Sequence, residues 1–133
     1  MKIIEIEGVG EAYGEKLSEA GVSTVEALLE KGATKKGREE LAEATGIPEK
    51  SILKFVNHAD LIRLNGVGPQ YAELLEAAGV DSVPELAQRN AANLAAKMEE
   101  VNGEKNLTNR VPVESEVERW IEEAKTIERV VTH

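Results

Sequence analysis

Apolar residues recur at helical spacing along most of the chain, and glycines, prolines and capping residues separate the resulting stretches. Residues three and four apart lie on one face of an α-helix, so such a stripe predicts an amphipathic helix with one buried face. One stripe comprises Ile52, Phe55, Val56, Ala59 and Ile62. A matching stripe near the end of the chain comprises Val117, Trp120, Ile121, Ala124 and Ile127. We therefore expect an all-α protein.

The stripes and the breaks between them predict eight helices, four in each half of the chain. The expected ranges are 11–20, 24–31, 35–44, 48–63, 69–78, 83–89, 91–101 and 114–130. Residues 1–6 are expected to be extended or to form a single turn, and residues 102–106 to form a loop. Ser23 and Ser82 each stand three residues before a glutamate, which is the spacing of a capping box at a helix start. Thr34 and Asn90 are expected to cap the helices that begin at residues 35 and 91.

A Gly-Val-Gly turn occurs twice, at residues 8–10 (the first glycine turn) and at residues 66–68 (the second glycine turn). Of the 24 aligned pairs that relate residues 6–29 to residues 64–87, 11 are identical, which indicates an internal duplication. No glycine- or serine-rich linker separates the two copies. We expect two tandem, pseudo-symmetric repeats of about four helices each, 1–63 and 64–133, packed as one compact body.

Each turn is expected to point backbone amides outward at the start of a helix, with the same local geometry in both copies. Glycine reaches positive φ without steric penalty, and we expect Gly68 to be intolerant of substitution if its φ is positive. A Gly68→Val substitution would then cost about 1–3 kcal/mol in backbone strain. Pro69 suits the first helical position, because the N–H group that proline lacks would have no partner there.

A tyrosine, a small residue and then leucines follow each turn. This arrangement resembles the helix-hairpin-helix motif, in which the small residue, here Gly14 or Ala72, lies where the two helices approach each other. Residues 57–69 further resemble a family of uncharacterised proteins made of tandem helix-hairpin-helix units. The resemblance covers nearly the whole chain and implies duplicated helical hairpins, without an agreed activity.

The resemblance also implies a way to bind nucleic acid. DNA-binding members of the helix-hairpin-helix class hold one backbone phosphate at the turn, usually with a lysine or arginine just after it. Here residues 11–12 and 69–70, Glu-Ala and Pro-Gln, stand at those positions. Glu7 and Glu11 bracket the first turn and would repel phosphate, whereas the second turn is expected to be uncharged, with Arg63 just before it.

The candidate site for phosphate or nucleic acid is therefore the second turn with its flanks, comprising Arg63, Asn65, Gly66, Val67, Gly68 and Gln70. Weaker candidates are the first turn and four lysines, comprising Gly8, Gly10, Lys35, Lys36, Lys50 and Lys54. The lysines and Arg38 fall in residues 31–63, the only segment with a net positive charge. They form either a basic patch or a mixed, solvated face.

The chain carries 25 acidic and 16 basic residues and a formal net charge of −9, which opposes non-specific binding to nucleic acid at long range. It contains no cysteine, which excludes disulfides and thiolate metal sites and fits a reducing compartment. The first six residues are too short and too charged for a signal peptide, and no apolar run reaches the length of a membrane span. We expect a cytoplasmic protein without a membrane partner.

No constellation of catalytic residues can be drawn. The two histidines, His58 and His133, have no ligand cluster around them, and we interpret His58 as a surface or boundary residue. The serines have neither a cysteine nor a suitable histidine to act with. The sequence thus predicts no catalytic residue, no metal, no cofactor and no small-molecule substrate.

Two functions of different classes remain open. The motif favours sequence-independent binding of nucleic acid through the second turn, and this is the interpretation that we adopt. The acidic charge favours the alternative, a protein-interaction module or adaptor. An enzyme is the least supported interpretation.

Overall fold

The computed structural model describes all residues from 1 to 133 and contains no β-strand. After a single 3-10 turn, Ile3–Glu5, eight α-helices follow: α1 Gly10–Glu19, α2 Val25–Lys31, α3 Lys35–Thr45, α4 Glu49–Ile62, α5 Pro69–Ala77, α6 Val83–Ala87, α7 Ala91–Lys105 and α8 Glu114–Ala124. An isolated antiparallel bridge joins Lys2 and Thr24. The all-α prediction is confirmed, and every helix begins within one residue of its predicted start.

Helix α7 extends beyond its predicted end, and the expected loop at residues 102–106 is wrong. Gly103 continues the helix, because one internal glycine costs only about 1 kcal/mol relative to alanine. The helix ends instead at Asn106, which adopts the left-handed conformation (φ 51°, ψ 50°) and donates its N–H to the Asn102 carbonyl at 2.8 Å. Asparagine tolerates this conformation better than most residues.

Helix α8 is shorter than predicted and ends at Ala124 rather than at residue 130. The N–H groups of Thr126 and Ile127 both donate to the carbonyl of Glu123, at 2.9 and 3.2 Å, and the Thr126 hydroxyl donates to the same oxygen at 2.8 Å. A hydroxyl that bonds a nearby carbonyl competes with the helical pattern. The apolar stripe therefore continues to Ile127 although the regular helix has ended.

The helix caps follow the sequence in three of four cases. Thr34, Ser82 and Asn90 accept a hydrogen bond from the amide three residues later, which satisfies a donor that the first helical turn leaves unpaired. At α2 the cap is Thr24, whose hydroxyl oxygen accepts from the Ala27 N–H at 3.0 Å, and not the predicted Ser23. The predicted cap is wrong by one residue.

The chain forms two structural units. The first contains Met1–Asp60 and Val130–His133, and the second contains Leu61–Arg129. In the first unit, α1 packs against the 3-10 turn and against α3, and the last residues return to this unit, where the Thr132 N–H donates to the Ala33 carbonyl at 2.8 Å. The division into repeats 1–63 and 64–133 stays a prediction.

The second unit has a continuous apolar core in which α8 packs against α6 and α7, and α5 packs against α7. Trp120 and Ile121 of α8 are buried in it, as are Leu74 and Leu75 of α5. Aliphatic side chains fill both units, as the aromatic content of 3% requires.

Candidate functional site

The second glycine turn joins the end of α4 to the start of α5. The Val67 N–H donates to the Leu64 carbonyl at 3.2 Å, and Gly66 has φ +87°. Gly68 is the N-cap of α5 with φ −101° and ψ −172°, which is extended backbone open to any residue. Gly68 therefore lacks the positive φ on which its expected backbone strain depends, and the conformational freedom of glycine is needed at Gly66 instead.

The first glycine turn begins in the same way and ends differently. The Val9 N–H donates to the Ile6 carbonyl at 3.2 Å, and Gly8 has φ +92°. Its second glycine, Gly10, also has a positive φ of +67°, unlike its counterpart in the second turn. The expectation of identical local geometry is wrong. The difference follows from Pro69, which favours extended backbone at Gly68, whereas Glu11 places no such restriction on Gly10.

Three backbone N–H groups in the second turn and just after it, those of Gly66, Gly68 and Gln70, have no acceptor within the protein. Gly66 and Gln70 are exposed, and α5 has no side-chain cap. Unpaired amides at a helix start, together with the positive end of the helix dipole, favour an anion. Val67, also predicted for the site, points its side chain into the core, so only its backbone belongs to the turn.

A carboxylate accepts a hydrogen bond from the backbone N–H group just before the second turn. The Asn65 N–H donates to Glu123 Oε1 at 3.0 Å, and Glu123 belongs to the distant helix α8. The expectation of an uncharged second turn is therefore wrong. The sequence offered one clue: Glu123 stands three residues after Trp120, so both lie on one face of α8.

Trp120 of α8 also closes over the second turn. A β-carbon added to Gly66 would lie 3.3 Å from Trp120 Nε1, and the indole packs on Tyr71 with ring centroids 5.4 Å apart. In the first turn a β-carbon added to Gly8 would lie 3.5 Å from Phe55 Cε1, and Phe55 packs on Tyr13 at 6.2 Å. Phe55 and Trp120 are buried, as their apolar stripes predict, and the half-buried Tyr13 and Tyr71 pack against them.

Arg63 lies beside the second turn, half-buried, and its Nη2 donates to the Glu128 carbonyl at 2.7 Å. A guanidinium keeps its positive charge when it donates a hydrogen bond, so the cation contributes to the potential of the turn. The residues Arg63, Asn65, Gly66, Gly68 and Gln70 lie within one short segment of the chain, and their role as a binding site stays a prediction.

The four candidate lysines, Lys35 and Lys36 of α3 and Lys50 and Lys54 of α4, are exposed. Arg38 does not join them, because it is buried and donates to the carbonyls of Gly32, Ala33 and Thr132. Burial lowers the pKa of Arg38, and the nearby Glu49 opposes this shift by favouring the charged form. Including Arg38 in a basic surface patch is therefore wrong.

His58 is completely buried, so its interpretation as a surface or boundary residue is also wrong. It lies on α4 between the buried residues Asn57 and Ala59. Its helix face lies outside the apolar stripe, so the sequence pattern predicts exposure, yet the face is buried. No three histidine, aspartate or glutamate side chains lie close enough together to share a metal ion. No helix combines the length and the apolar character that a membrane crossing requires.

A groove on the first unit was not anticipated from the sequence. It has a volume of about 480 Å³ and lies between the 3-10 turn and α1, with the start of α2 at one end. Its surface is mostly apolar, and it is lined by Ile3, Ile4 and Gly14, with Glu11 and Glu15 of α1 beside them. A second hollow of about 410 Å³ lies near Lys31 and Leu41 and is more polar.

These features define an all-helical protein with two glycine turns, one of which presents unpaired amides beside a cation. A family model for a domain of unknown function, DUF4332, matches residues 7–127, and the chain belongs to this family. No curated protein matches the chain. No solved structure matches it either.

Proposed function

We propose that this protein is a non-enzymatic binding module that grips the sugar-phosphate backbone of nucleic acid through its second glycine turn. The observation that carries the proposal is the set of three unpaired amides of Gly66, Gly68 and Gln70 at the start of α5. A phosphate is a strong acceptor that could take these donors together. Backbone amides and Arg63 contact phosphate without reading bases, so the binding is independent of sequence.

The proposal includes two tandem, pseudo-symmetric helix-hairpin-helix repeats. Hydrogen bonds at equivalent positions of the two copies support this duplication. The Val22 N–H donates to the Leu17 carbonyl at 2.8 Å, and the Val80 N–H donates to the Leu75 carbonyl at 2.9 Å. Superposition of residues 8–28 on residues 66–86 tests it, and a failure of the Cα traces to coincide would contradict it.

The binding is tested by fluorescence anisotropy with labelled single- and double-stranded DNA across a salt series. Arg63→Glu should weaken binding about tenfold or more and reduce the slope of log K against log salt by about one. Gln70→Glu, an exposed change that places a carboxylate beside the unpaired amides, should weaken it by a similar factor without disturbing the Glu128 carbonyl contact.

Lys97→Glu is the matched control, since Lys97 is an exposed cation of α7 whose partner, Glu100, lies 4.0 Å away. It makes the same change in net charge as Arg63→Glu and should reduce binding by less than about threefold. Equal losses in all three variants would point to general electrostatics and contradict a site at the second turn.

The second candidate function is a protein-interaction module or adaptor, and the apolar groove of the first unit favours it. Grooves of about 300–1,000 Å³ with an apolar lining are typical of sites that bury a ligand. The excess of acidic residues suits a protein partner better than nucleic acid. For either function we propose a cytoplasmic location, which the absence of cysteine supports.

A further inference from the structure

We propose that the groove between the 3-10 turn and α1 docks a basic, amphipathic helix of a partner protein. This inference rests on the second candidate function, the protein-interaction module. It is independent of the second glycine turn, because every residue that lines the groove lies within residues 2–24.

The floor of the groove is apolar because of how the 3-10 turn is placed. Ile3 points into the core, and the next residue, Ile4, is left 49% exposed. Gly14 of α1 is buried and faces Ile4, and a β-carbon there would lie 3.7 Å from Ile4 Cβ, which is an ordinary contact distance. Ile4 is therefore available to pack against an incoming apolar residue.

The second copy has an isoleucine at the position equivalent to Ile4, and its side chain is less exposed. Ile62 corresponds to Ile4 and is half-buried, packed against the apolar core of the second unit. Gly14 corresponds to Ala72, which is completely buried. An isoleucine that is half-buried in the second unit is thus largely exposed in the first, and this exposure favours the groove as a surface that a partner would cover.

The charges at the rim select the partner. Glu11 and Glu15 lie one helical turn apart on α1 and are exposed, and Lys2 is the only cation among the residues that line the groove. Residues 1–30 carry seven acidic and two basic residues. A partner with lysines or arginines beside its apolar anchors is therefore attracted, and an acidic partner is repelled.

The volume of the groove favours a partner helix that inserts a few side chains, rather than a peptide segment that the groove encloses completely. A volume of about 480 Å³ accommodates several aliphatic side chains. An amphipathic helix supplies such anchors at every third or fourth position and keeps its charged side chains at the edges, where Glu11 and Glu15 lie.

The test is fluorescence anisotropy with a labelled synthetic peptide of leucine and lysine in amphipathic helical order, about 15 residues long so that a helix is marginally stable. A second peptide has glutamate in place of every lysine. We expect the lysine peptide to bind the full chain at low salt, with an affinity that falls as salt rises, and the glutamate peptide not to bind.

Two variants with matched controls locate the site. Ile4→Asp should weaken binding of the lysine peptide about tenfold or more, whereas Val113→Asp, which alters another exposed aliphatic side chain (57% exposed), should leave it within about twofold. Glu15→Lys should weaken it about threefold or more, and Glu43→Lys, a charge reversal at an exposed position of α3, should not.

The outcomes separate this inference from the functions above. Binding of the glutamate peptide that depends on Ile4 would overturn the basic partner and leave a protein-interaction module standing. Absence of binding by both peptides would overturn the inference, whereas the second candidate function would then require a partner that binds another surface. Self-association of the chain that Ile4→Asp abolishes would overturn the inference in favour of a second copy. None of these results bears on the expected effect of Arg63→Glu on DNA binding, which is tested separately.

Discussion

The two glycine turns begin with the same hydrogen bond and the same left-handed glycine, yet different surroundings close over them. Phe55 lies against Gly8, and Trp120 lies against Gly66. In the second turn, α8 also brings a carboxylate, Glu123, to the amide of Asn65. The positions of the first copy that correspond to Asn65 and Glu123 are Glu7 and His58, and His58 is completely buried. Local sequence thus sets the path of the backbone, and a distant helix sets the charge around it.

Removal of the aromatic rings should have the largest effect, and it tests whether the two turns have separate aromatic supports. Trp120→Ala and Phe55→Ala should each destabilise the protein by about 3–5 kcal/mol, because each removes a buried ring and leaves a cavity. Urea denaturation measures the loss. The amide chemical shift of Gly66 should move in Trp120→Ala and that of Gly8 in Phe55→Ala. Equal disturbance of both glycines by one substitution would contradict separate aromatic supports.

The glycines themselves give the next largest effect. Gly66→Val should destabilise by about 1–3 kcal/mol, because it forces a β-branched residue to a φ of +87° and places its β-carbon 3.3 Å from Trp120 Nε1. Gly68→Ala should cost less than about 1 kcal/mol, since its φ is −101° and no atom lies within 4 Å of an added β-carbon. Thermal unfolding of the two variants ranks them. A larger loss in Gly68→Ala would show that the second glycine constrains the turn.

Glu123 tests whether charge distinguishes the turns. Glu123→Gln keeps an acceptor for the Asn65 N–H and removes a negative charge beside the proposed phosphate position. Such a charge costs about 1 kcal/mol in a well-solvated setting, so DNA affinity should rise about fivefold at low salt. Glu118→Gln, at an exposed position of the same helix, is the control and should change affinity by less than about twofold. An equal rise in both variants would assign the effect to net charge alone.

The smallest expected effect concerns the cations near the ends of α1 and α5. Lys31 Nζ donates to the Ala20 carbonyl at 3.4 Å, and its counterpart in the second copy, Arg89, donates from Nη1 to the Gly79 carbonyl, one residue beyond the counterpart of Ala20, at 3.5 Å. Lys31→Met and Arg89→Met should each destabilise by less than about 1 kcal/mol, because long contacts at partly exposed helix ends contribute little. Thermal unfolding in low and high salt measures both. A loss of several kcal/mol in only one variant would contradict equivalent roles.

The helices were predictable because their signals are local. Apolar spacing predicted α4 and the burial of Trp120, and Thr34 and Asn90 predicted two caps. The predictions failed where a local signal was weak. Gly103 suggested a loop within α7, and the apolar stripe of α8 continued past the point where the Thr126 hydroxyl ends the helix.

The candidate site was predictable in part. The residues from Arg63 to Gln70 are consecutive, so the sequence was enough to bring them together. Glu123 was missed because it is distant in the chain, and the groove beside Ile4 was missed because exposure of a single isoleucine has no sequence signal.

The sequence by itself determined the helical class, the two glycine turns and the acidic charge, because each depends on residues that are close in the chain or on composition. Only the tertiary structure decided which polar side chains are buried. Arg38 is buried where it binds three carbonyls, and Glu123 lies against the second turn because the packing of α8 carries it there. The free energy of a charge depends on every group that surrounds it, and those groups come together only when distant helices pack.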